Sequence, residues 1–594
     1  METKAELTGA QRATRNNTID IYTSIIAVSI LVFVVIGAYS GRRVKQLDDY
    51  FVAGRNAPTL LIVGTLVASV FSTSIFLGEA GFTYDGQMGP YILFPGIAVV
   101  GYVYGALLFG TYLRRSRAPT VADFLGQRFN SHRVQQAAGA TIILGLGGYL
   151  LVVTQGAAIL LSDLTGLSYA QAIVFAWISY TLFTMYSGSR GVIITDTLMF
   201  LLFTAATIMF ATYIIADMDG LRSAVEAVAQ VEEKPGIASW HGTVGPGTEW
   251  ATPTDFLIWT VIIDMSWGVV YAVSPWQASR HLMARDEHVV IRSAIYACFA
   301  VILVQILIYG LGGLINLANP DIVPSETVMV WAAKNLVPEF LGALLLAGIV
   351  AAALSSASTF LSLVGFSVSN DMFRRRAPTL GGTRLVMLAT AGVVLVASFY
   401  FPPNIFWLML FIGTVFASSW GPVGFMSVWS KRITARAAFW GIVTGFGLNV
   451  IPAALEYMGL VSWPVYFSPV VIGASASVIT ILVVSRLGKV TPQEQAYREA
   501  LHQTPIQDLT VQKTRLTLWG PRLLVAYGCV MPLLLLYFYV IPYQKGVGEL
   551  SNDGSINWAH GEALIVLAIP VLFVPLGLVT ARIVHRRYSP SPAG

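Results

Sequence analysis

Charged residues are scarce in this chain of 594 residues, because Asp, Glu, Lys and Arg together make up only 11% of it. An average soluble protein contains roughly 25%. Hydrophobic residues make up 55% of the chain. This composition excludes a water-soluble domain and predicts an all-α polytopic membrane protein.

Cysteine and intramembrane histidine are also lacking. The two cysteines, Cys298 and Cys529, lie in apolar runs and offer neither a disulfide framework nor a cysteine-based zinc site. The seven histidines fall in predicted loops or at predicted helix ends, which excludes intramembrane haem ligation by histidine. No motif of a catalytic nucleophile occurs, and the chain is predicted not to be an enzyme.

Long apolar runs, in contrast, are abundant. A helix needs about 20 mostly apolar residues to cross roughly 30 Å of hydrocarbon. Fifteen runs meet this condition and predict about 15 transmembrane helices, at 21–40, 59–83, 91–113, 137–161, 169–187, 192–215, 256–273, 293–316, 340–368, 385–401, 404–428, 437–455, 461–484, 523–542 and 562–581.

The basic residues predict the orientation. Of the 36 Lys and Arg residues, 29 fall in one alternating set of loops and 7 in the other. Because cytoplasmic loops are enriched in Lys and Arg, the richer set is predicted to lie inside. The chain is therefore expected in a cell (inner) membrane with its amino terminus outside and its carboxy terminus in the cytoplasm. No basic residue is expected in the middle of the bundle.

A polar cluster, Ser69 to Ser74, lies near the middle of the second run. Helices interrupted at this depth expose backbone carbonyls and amides that bind ions and solutes. Close packing of small residues against another helix is an equally good explanation of any one of these serines.

A second polar stripe lies on the ninth run. Ala352, Ser355, Ser356 and Thr359 are spaced at i, i+3, i+4 and i+7, so they share one helix face at mid-depth. Two serines on a helix usually indicate packing. Opposite an interrupted helix that offers carbonyl oxygens, they predict a sodium site of five oxygens.

Four acidic residues lie within or near the apolar runs, where carboxylates are costly and often functional: Glu79, Asp196, Asp264 and Glu456. Asp264 could bind a cationic group, relay a proton or form a structural hydrogen bond, and the sequence leaves these alternatives open. Asp196 lies near the inner edge, where an interfacial role, capping a helix or pairing with Arg190, is the alternative to a functional one. Glu79 is expected to be solvated or part of an outer gate, and Glu456 to lie at a helix end.

Four segments together resemble a known family. They are Tyr50 to Arg55 before the interrupted helix, the glycine-rich Gly188 to Asp196, Arg280 to Arg285, and Ala352 to Ser356. From Tyr50 to about Leu455 the chain resembles the sodium/solute symporters, which include transporters of proline, pantothenate, sugars, sialic acid and small monocarboxylates. Ala437 stands where the family usually has glycine, which indicates a divergent branch.

The resemblance implies a LeuT-like core of two inverted five-helix repeats. The expected divisions are 1–58, an outer tail with a peripheral helix and an inner loop; 59–220, the first repeat; 221–255, an extracellular loop; 256–430, the second repeat; and 431–594, peripheral helices with an inner loop at 487–521.

The resemblance also implies a function, namely sodium-coupled secondary active symport that imports a small organic solute by alternating access. Carried over to this sequence, sodium would bind the carbonyls of Ala68, Phe71 and Ala352 and the hydroxyls of Ser355 and Ser356. Asp196 and Ser72 would lie beside the ion, on its exit path.

The residues expected to contact the solute are Ser69, Thr73, Ser74, Asp264, Trp267, Tyr271 and Trp276. Asp264, Trp267 and Tyr271 lie in the seventh run, and Trp276 follows it. The chain is expected to break here at Gly268 or Pro275. Val70 stands where the family often has a carboxylate or an amide, and the third run is nearly all apolar, which favours a carboxylate or an amino acid over a sugar as the solute. A carboxylate would have to be held by amides and hydroxyls around Ser72, Thr73 and Ser74.

The expected partners are the solute, the sodium ion and the lipid bilayer, with no nucleic acid and no obligate protein partner. Coupling to protons through Asp264 or Asp196 is the first alternative. A transporter-like membrane sensor is an alternative of another class, but it needs an output domain, and the loops are too short to hold one.

Overall fold

The structure is a computed structural model that describes residues 21–41, 51–372 and 379–589. It is 81% helical, and the described part contains no strand. The predictions that fall on 1–20, on 42–50, which include Tyr50, on 373–378 and on 590–594 lie outside the described residues.

The first half of the chain, up to Met283, is almost entirely helical. In chain order they are α1 (Ile21–Gly41), α2 (Thr59–Ala68), α3 (Ala80–Phe82), α4 (Met88–Leu93), α5 (Pro95–Val99), α6 (Gly101–Gly105), α7 (Thr111–Ser116), α8 (Val121–Arg128), α9 (His132–Thr165), α10 (Tyr169–Asp217), α11 (Leu221–Val228), α12 (Pro253–Val273) and α13 (Pro275–Met283). Short π-helical segments, Ser74–Glu79, Thr83–Gln87 and Ala106–Gly110, connect α3, α4, α6 and α7 with their neighbours.

The second half continues with α14 (Glu287–Leu314), α15 (Val328–Asn335), α16 (Glu339–Phe366), α17 (Leu380–Tyr400), α18 (Ile405–Trp429), α19 (Ala435–Tyr457), α20 (Pro469–Arg486), α21 (Pro492–Leu501), α22 (Val511–Thr517), α23 (Trp519–Leu535), α24 (Ile541–Gly546), α25 (Gly561–Val566) and α26 (Ala568–Tyr588). A π-helical segment, Ser367–Met372, extends α16, and another, Leu536–Val540, joins α23 to α24.

The helices correspond to the predicted transmembrane runs. Among the described residues, twelve helices are long and apolar enough to cross a membrane. Three shorter apolar helices, Ile21–Gly37, Thr59–Ala68 and Tyr169–Met185, fall on the first, second and fifth predicted runs. The expectation of an all-α polytopic membrane protein is confirmed.

The second predicted run is interrupted where the serines lie. Helix α2 ends at Ala68, and the chain becomes helical again only from Thr73. In between, Ser69 Oγ donates to the Leu66 carbonyl at 3.0 Å, and the Ser74 amide donates to Ser72 Oγ at 3.1 Å. Serine side chains that bond to nearby backbone groups compete with the helical hydrogen bonds, so they favour this break.

The seventh predicted run is interrupted in the same manner. Helix α12 ends at Val273, and α13 begins at Pro275 after Ser274, whose ψ of 146° is not helical. Proline has no amide hydrogen to continue a helix, whereas it suits a first helical turn. The predicted break at Pro275 is confirmed. The alternative break at Gly268 is wrong, because Gly268 lies inside α12. Gly268 is instead a point of close helix contact, since a Cβ on Gly101 would come within 2.1 Å of the Gly268 carbonyl oxygen.

Backbone bonds join the segment before α2 to the segment after α13. The Ala57 amide donates to the Met283 carbonyl at 3.1 Å, and the Arg285 amide donates to the Ala57 carbonyl at 3.0 Å. Arg114 Nε donates to the Ala284 carbonyl at 2.5 Å. The two broken helices are therefore held together at one end of the bundle, which we call the basic end for its Arg114 and Arg285.

Helix α10 has 49 residues and contains a single break at Gly188, with φ 57° and ψ 173°. Residues with a Cβ avoid this combination of angles, which is almost confined to glycine. The fifth and sixth predicted runs are therefore separated by a one-residue break within the glycine-rich segment.

Candidate functional site

The oxygens predicted to bind sodium lie where the break after α2 meets α16. Ser356 Oγ donates to the Phe71 carbonyl at 2.9 Å and lies 3.4 Å from the Ala68 carbonyl oxygen. Ser355 Oγ lies 3.2 Å from the same Ala68 oxygen. Carbonyls at the end of a helix lack an intrahelical donor, so they are available to other groups. Ala352, the fifth predicted ligand, lies one turn earlier on α16 and is fully buried.

Asp196 lies next to this oxygen cluster. Its Oδ1 accepts from Ser355 Oγ at 2.7 Å, and its Oδ2 accepts from Thr65 Oγ1 at 2.6 Å. The carboxyl group is fully buried. A hydroxyl group that gives its hydrogen to a carboxylate keeps its lone pairs for another partner. Asp196 is therefore placed to orient the Ser355 oxygen toward a cation.

Arg280 is the basic residue that sequence reasoning misplaced. It lies on α13, is 3% exposed, and its Nη2 is 3.8 Å from Asp196 Oδ2. The same nitrogen donates to Thr359 Oγ1 at 2.5 Å. The expectation that no basic residue lies inside the bundle is wrong, because the run that ends at Val273 resumes as a buried helix after Pro275. Asp196 pairs with Arg280, while Arg190 is exposed.

Ser69 belongs to a second polar cluster that sequence reasoning missed. Gln277 on α13 is fully buried, and its Nε2 donates to Ser69 Oγ at 3.2 Å. The Tyr102 hydroxyl donates to Gln277 Oε1 at 3.1 Å. A glutamine that directly follows the proline break was the available signal, since a polar side chain in this position needs partners in the bundle.

The other residues of the break face different neighbours. Thr73 Oγ1 donates to the Val153 carbonyl of α9 at 3.5 Å and is packed so closely that a Cβ on Gly156 would fall 2.4 Å from it. Ser72 Oγ accepts from the Ser74 amide, as described above. The Ser74 hydroxyl is buried.

Three of the predicted solute contacts line a separate cavity of about 60 Å³. Asp264, Trp267 and Tyr271 line it from α12, and Glu79 lines it from the π-helical segment after the first break. The carboxylate of Glu79 accepts a hydrogen bond from the Tyr309 hydroxyl. Sequence reasoning missed Tyr309 and Gln305, which line the cavity from α14.

Trp276 does not line this cavity. Its ring is buried against three aromatic rings, with centroid distances of 5.8 Å to Tyr149, 6.1 Å to Phe360 and 5.3 Å to Phe416. The predicted solute residues thus lie in two places, at the break and at the cavity. The rings of Tyr102 and Tyr271, 4.8 Å apart, connect the Ser69 cluster with the cavity.

The structure thus combines two broken helices with a buried cluster of carbonyl and hydroxyl oxygens. This combination defines a class of protein, the secondary membrane transporters. Comparison with known proteins gives the family. The model of the Sodium:solute symporter family matches residues 50–445, and the chain belongs to that family.

Two relatives of known activity match this chain over most of their own length. The chain is 25% identical over 499 residues to the sodium/pantothenate symporter of Escherichia coli (strain K12), with 80% of this chain and 98% of the relative covered. It is 22% identical over 434 residues to the sodium/sialic acid symporter SiaT of Proteus mirabilis (strain HI4320), with 69% and 84% covered.

Solved structures show the same fold. A sodium-coupled sialic acid symporter in a substrate-bound outward-open state superposes with a TM-score of 0.66 at 20% identity, covering 80% of this chain and 99% of that chain. Mhp1, a nucleobase-cation-symport-1 family transporter, gives a TM-score of 0.51 at 14% identity, covering 76% and 98%. The LeuT-like inverted-repeat core is therefore confirmed.

Membership in the family confirms three predictions. The protein is a sodium-coupled symporter of a small organic solute, sodium is the co-transported ion, and the chain is a multi-pass membrane protein. The individual sodium and solute residues and the exact repeat boundaries remain predictions.

Proposed function

We propose that this protein imports a small organic solute together with sodium by alternating access. In this proposal the ion binds the carbonyls of Ala68, Phe71 and Ala352 and the hydroxyls of Ser355 and Ser356. One observation carries it: the Ser355 and Ser356 hydroxyls of α16 lie within 3.4 Å of carbonyl oxygens at the break after α2.

The chemistry of this cluster suits sodium. Carbonyl and hydroxyl oxygens both offer lone pairs to a cation. Asp196 accepts the Ser355 hydrogen at 2.7 Å, so the lone pairs of Ser355 Oγ remain available to the ion.

The position of the site couples the ion to conformation. The break after α2 and Asp196 belong to the first predicted repeat, and α16 belongs to the second. An ion that needs oxygens from both repeats stabilises the state in which they are in contact. By linkage, the sodium-bound protein then binds more tightly a solute that prefers this state, and the solute raises the affinity for sodium by the same factor.

The basic end of the bundle is closed by the bonds between Ala57 and the segment after α13. We assign this end to the cytoplasm, with the amino terminus outside and the carboxy terminus inside, because basic loops are retained there. Alternating access then requires that these bonds open when the ion and the solute are released.

Thermal unfolding of the purified protein in sodium and in potassium, at equal ionic strength, tests the sodium site. A ligand at 100 times its Kd stabilises the folded protein by about 2.7 kcal/mol, so sodium should raise the unfolding midpoint of the wild type. Ser355→Ala and Ser356→Ala should each weaken sodium binding by about 10- to 100-fold.

Ser398→Ala is the matched control. Ser398 is also buried in an apolar helix, α17, and donates to the carbonyl four residues earlier. This variant should keep the full response to sodium. A double variant Ser355→Ala/Ser356→Ala that responds like the wild type would contradict the proposed site, and equal midpoints in sodium and potassium would contradict the choice of ion.

A further inference from the structure

We infer that the solute carries a cationic nitrogen, which binds in the cavity between α12 and α14. This inference rests on the proposed function, because it assumes that the cavity is the solute site. It distinguishes between the two solute types that the sequence favours, a carboxylate and an amino acid.

The charged groups of the cavity are of one sign. Asp264 and Glu79 are lining residues, whereas no Lys, Arg or His lies among the residues that line it. An anionic solute would meet two carboxyl groups without a compensating cation, and like charges close together cost free energy in a medium of low dielectric constant. A cationic solute would neutralise them instead.

The cavity also holds acceptors that have no donor. Among the described residues, Asp264 Oδ2 has no hydrogen-bond partner, and neither does Oε1 of Gln305, a residue that is 5% exposed. A buried acceptor without a partner destabilises the protein, so such atoms are normally satisfied. An ammonium group offers three donors, which these acceptors can share.

The walls of the cavity favour an organic cation over a second inorganic ion. Aromatic rings line it on several sides: Tyr91, Phe94, Trp259, Trp267, Tyr271 and Tyr309. The faces of such rings attract alkylammonium groups electrostatically. A sodium ion prefers a shell of oxygens, and the rings would replace most of that shell.

Two further atoms indicate that the solute also carries an acceptor. Nε1 of Trp267 is a buried donor without a partner, and the Thr260 hydroxyl of the same helix has none either. Indole nitrogen can only donate. A carbonyl, carboxyl or hydroxyl oxygen near the cationic nitrogen would satisfy it. Of the two solute types that the sequence favours, an amino acid therefore fits and a carboxylate without an amine does not.

Three probes with the same branched carbon skeleton test the charge directly. They are isopentylammonium, 3-methylbutan-1-ol and 3-methylbutanoate, with charges of +1, 0 and −1. Each is titrated into the purified full-length protein in sodium buffer, and the shift of the unfolding midpoint is measured. N-methylglucamine is left out of all buffers because it is itself an organic cation.

Isopentylammonium should stabilise the wild type, and the alcohol and the carboxylate should not. Asp264→Asn, which keeps the shape of the side chain, should weaken amine binding by at least about tenfold, because a buried charge partner is lost. Trp267→Leu should also weaken it. Glu456→Gln is the control, since it removes an exposed carboxylate at the end of α19 and should leave amine binding unchanged.

The inference would be overturned if the carboxylate or the alcohol stabilised the protein as much as the amine does. It would also be overturned if the amine gave no shift of the unfolding midpoint. Loss of the sodium response itself in Asp264→Asn, in the absence of amine, would show that the cavity binds sodium and would also overturn it. The sodium titration of Ser355→Ala is independent of these probes, so failure of the proposed sodium site is distinguished from failure of the inferred solute class.

Discussion

The ion pair of Arg280 and Asp196 lies directly beside the proposed sodium site. A buried guanidinium group needs a counter-charge and hydrogen-bond acceptors. Arg280 finds both in Asp196 and Thr359, at 3.8 Å and 2.5 Å. Asp196 in turn contacts Ser355, so the pair and the ion site share one carboxyl group.

We predict that Asp196→Asn lowers the free energy of unfolding by about 3–5 kcal/mol, because it leaves the buried charge of Arg280 without a partner. The double variant Asp196→Asn/Arg280→Gln should recover most of this loss, since both charges are then removed. Thermal unfolding in the presence and absence of sodium measures both effects. A double variant that is as unstable as Asp196→Asn would contradict the assignment of the pair.

At this scale the sequence predicted which oxygens lie together better than it predicted the residues around them. The spacing of Ser355 and Ser356 places them on one helix face, and this is a local property that a sequence contains. The partner of Asp196 could not be predicted in this way, because Arg280 reaches it only through a helix that resumes after Pro275. Glu79, Gln305 and Tyr309 likewise meet only in the folded bundle.

At the scale of elements, α2 and α10 approach each other closely beside the proposed sodium site. A Cβ on Gly64 would lie 2.6 Å from the Thr197 Cα, so only glycine allows the two helices to come this near. Thr65, which follows Gly64, donates a hydrogen bond of 2.6 Å to Asp196, which precedes Thr197. The contact of the two helices therefore sets the position of the Asp196 carboxyl group.

We predict that Gly64→Ala destabilises the protein by about 1–3 kcal/mol, because the added methyl group separates the helices. It should also reduce the stabilisation by sodium. Gly392→Ala on α17 is the control, since a Cβ there meets no atom within 4 Å. That change should be neutral or stabilising by up to about 1 kcal/mol. Unfolding midpoints in sodium and potassium compare the two, and equal midpoints for both variants would contradict the prediction.

The breaks within the helices could be predicted from the sequence because their causes are local. Proline at 275 and the serines from 69 to 74 act on the backbone within a few residues, so their effect can be predicted from sequence. The one-residue break at Gly188 is similar in origin. The pairing of Ala57 with the segment after α13 depends on the packing of two distant helices, which no local pattern contains.

At the scale of the whole molecule, the loop at 487–521 and the last helix are attached to the ends of the core helices. Glu287, 1% exposed, accepts from Arg115 at 2.5 Å and from the Tyr588 hydroxyl at 2.6 Å. Arg115 also donates to the Leu501 carbonyl at 2.7 Å. The peripheral part of the chain is therefore joined to the repeats by buried polar bonds.

A pH dependence follows from Asp508 in this loop. Its burial, together with the negative charges of Glu287 and Asp286, raises the pKa of Asp508 to about 6. Since the folded protein then binds the proton more tightly than the unfolded chain, the contribution of Asp508 to stability is present below about pH 4 and is lost as pH rises through about 6.

We predict that Asp508→Asn, which cannot lose a proton, changes this profile. Relative to the wild type, the variant should gain stability as the pH increases from about 4 to about 7. Unfolding midpoints at a series of pH values measure the difference between the two proteins. A difference that is constant with pH, or that falls, would contradict the raised pKa.

The ion pair inside the bundle has a consequence for the response of transport to voltage. Because Arg280 and Asp196 neutralise each other, the proposed sodium site would move no net charge when the carrier returns without its ion. Sodium adds one positive charge, which is worth about 2.3 kcal/mol per 100 mV if it crosses the whole field. We therefore expect an inside-negative membrane to accelerate the inward step of the loaded carrier and to leave the return of this site unaffected.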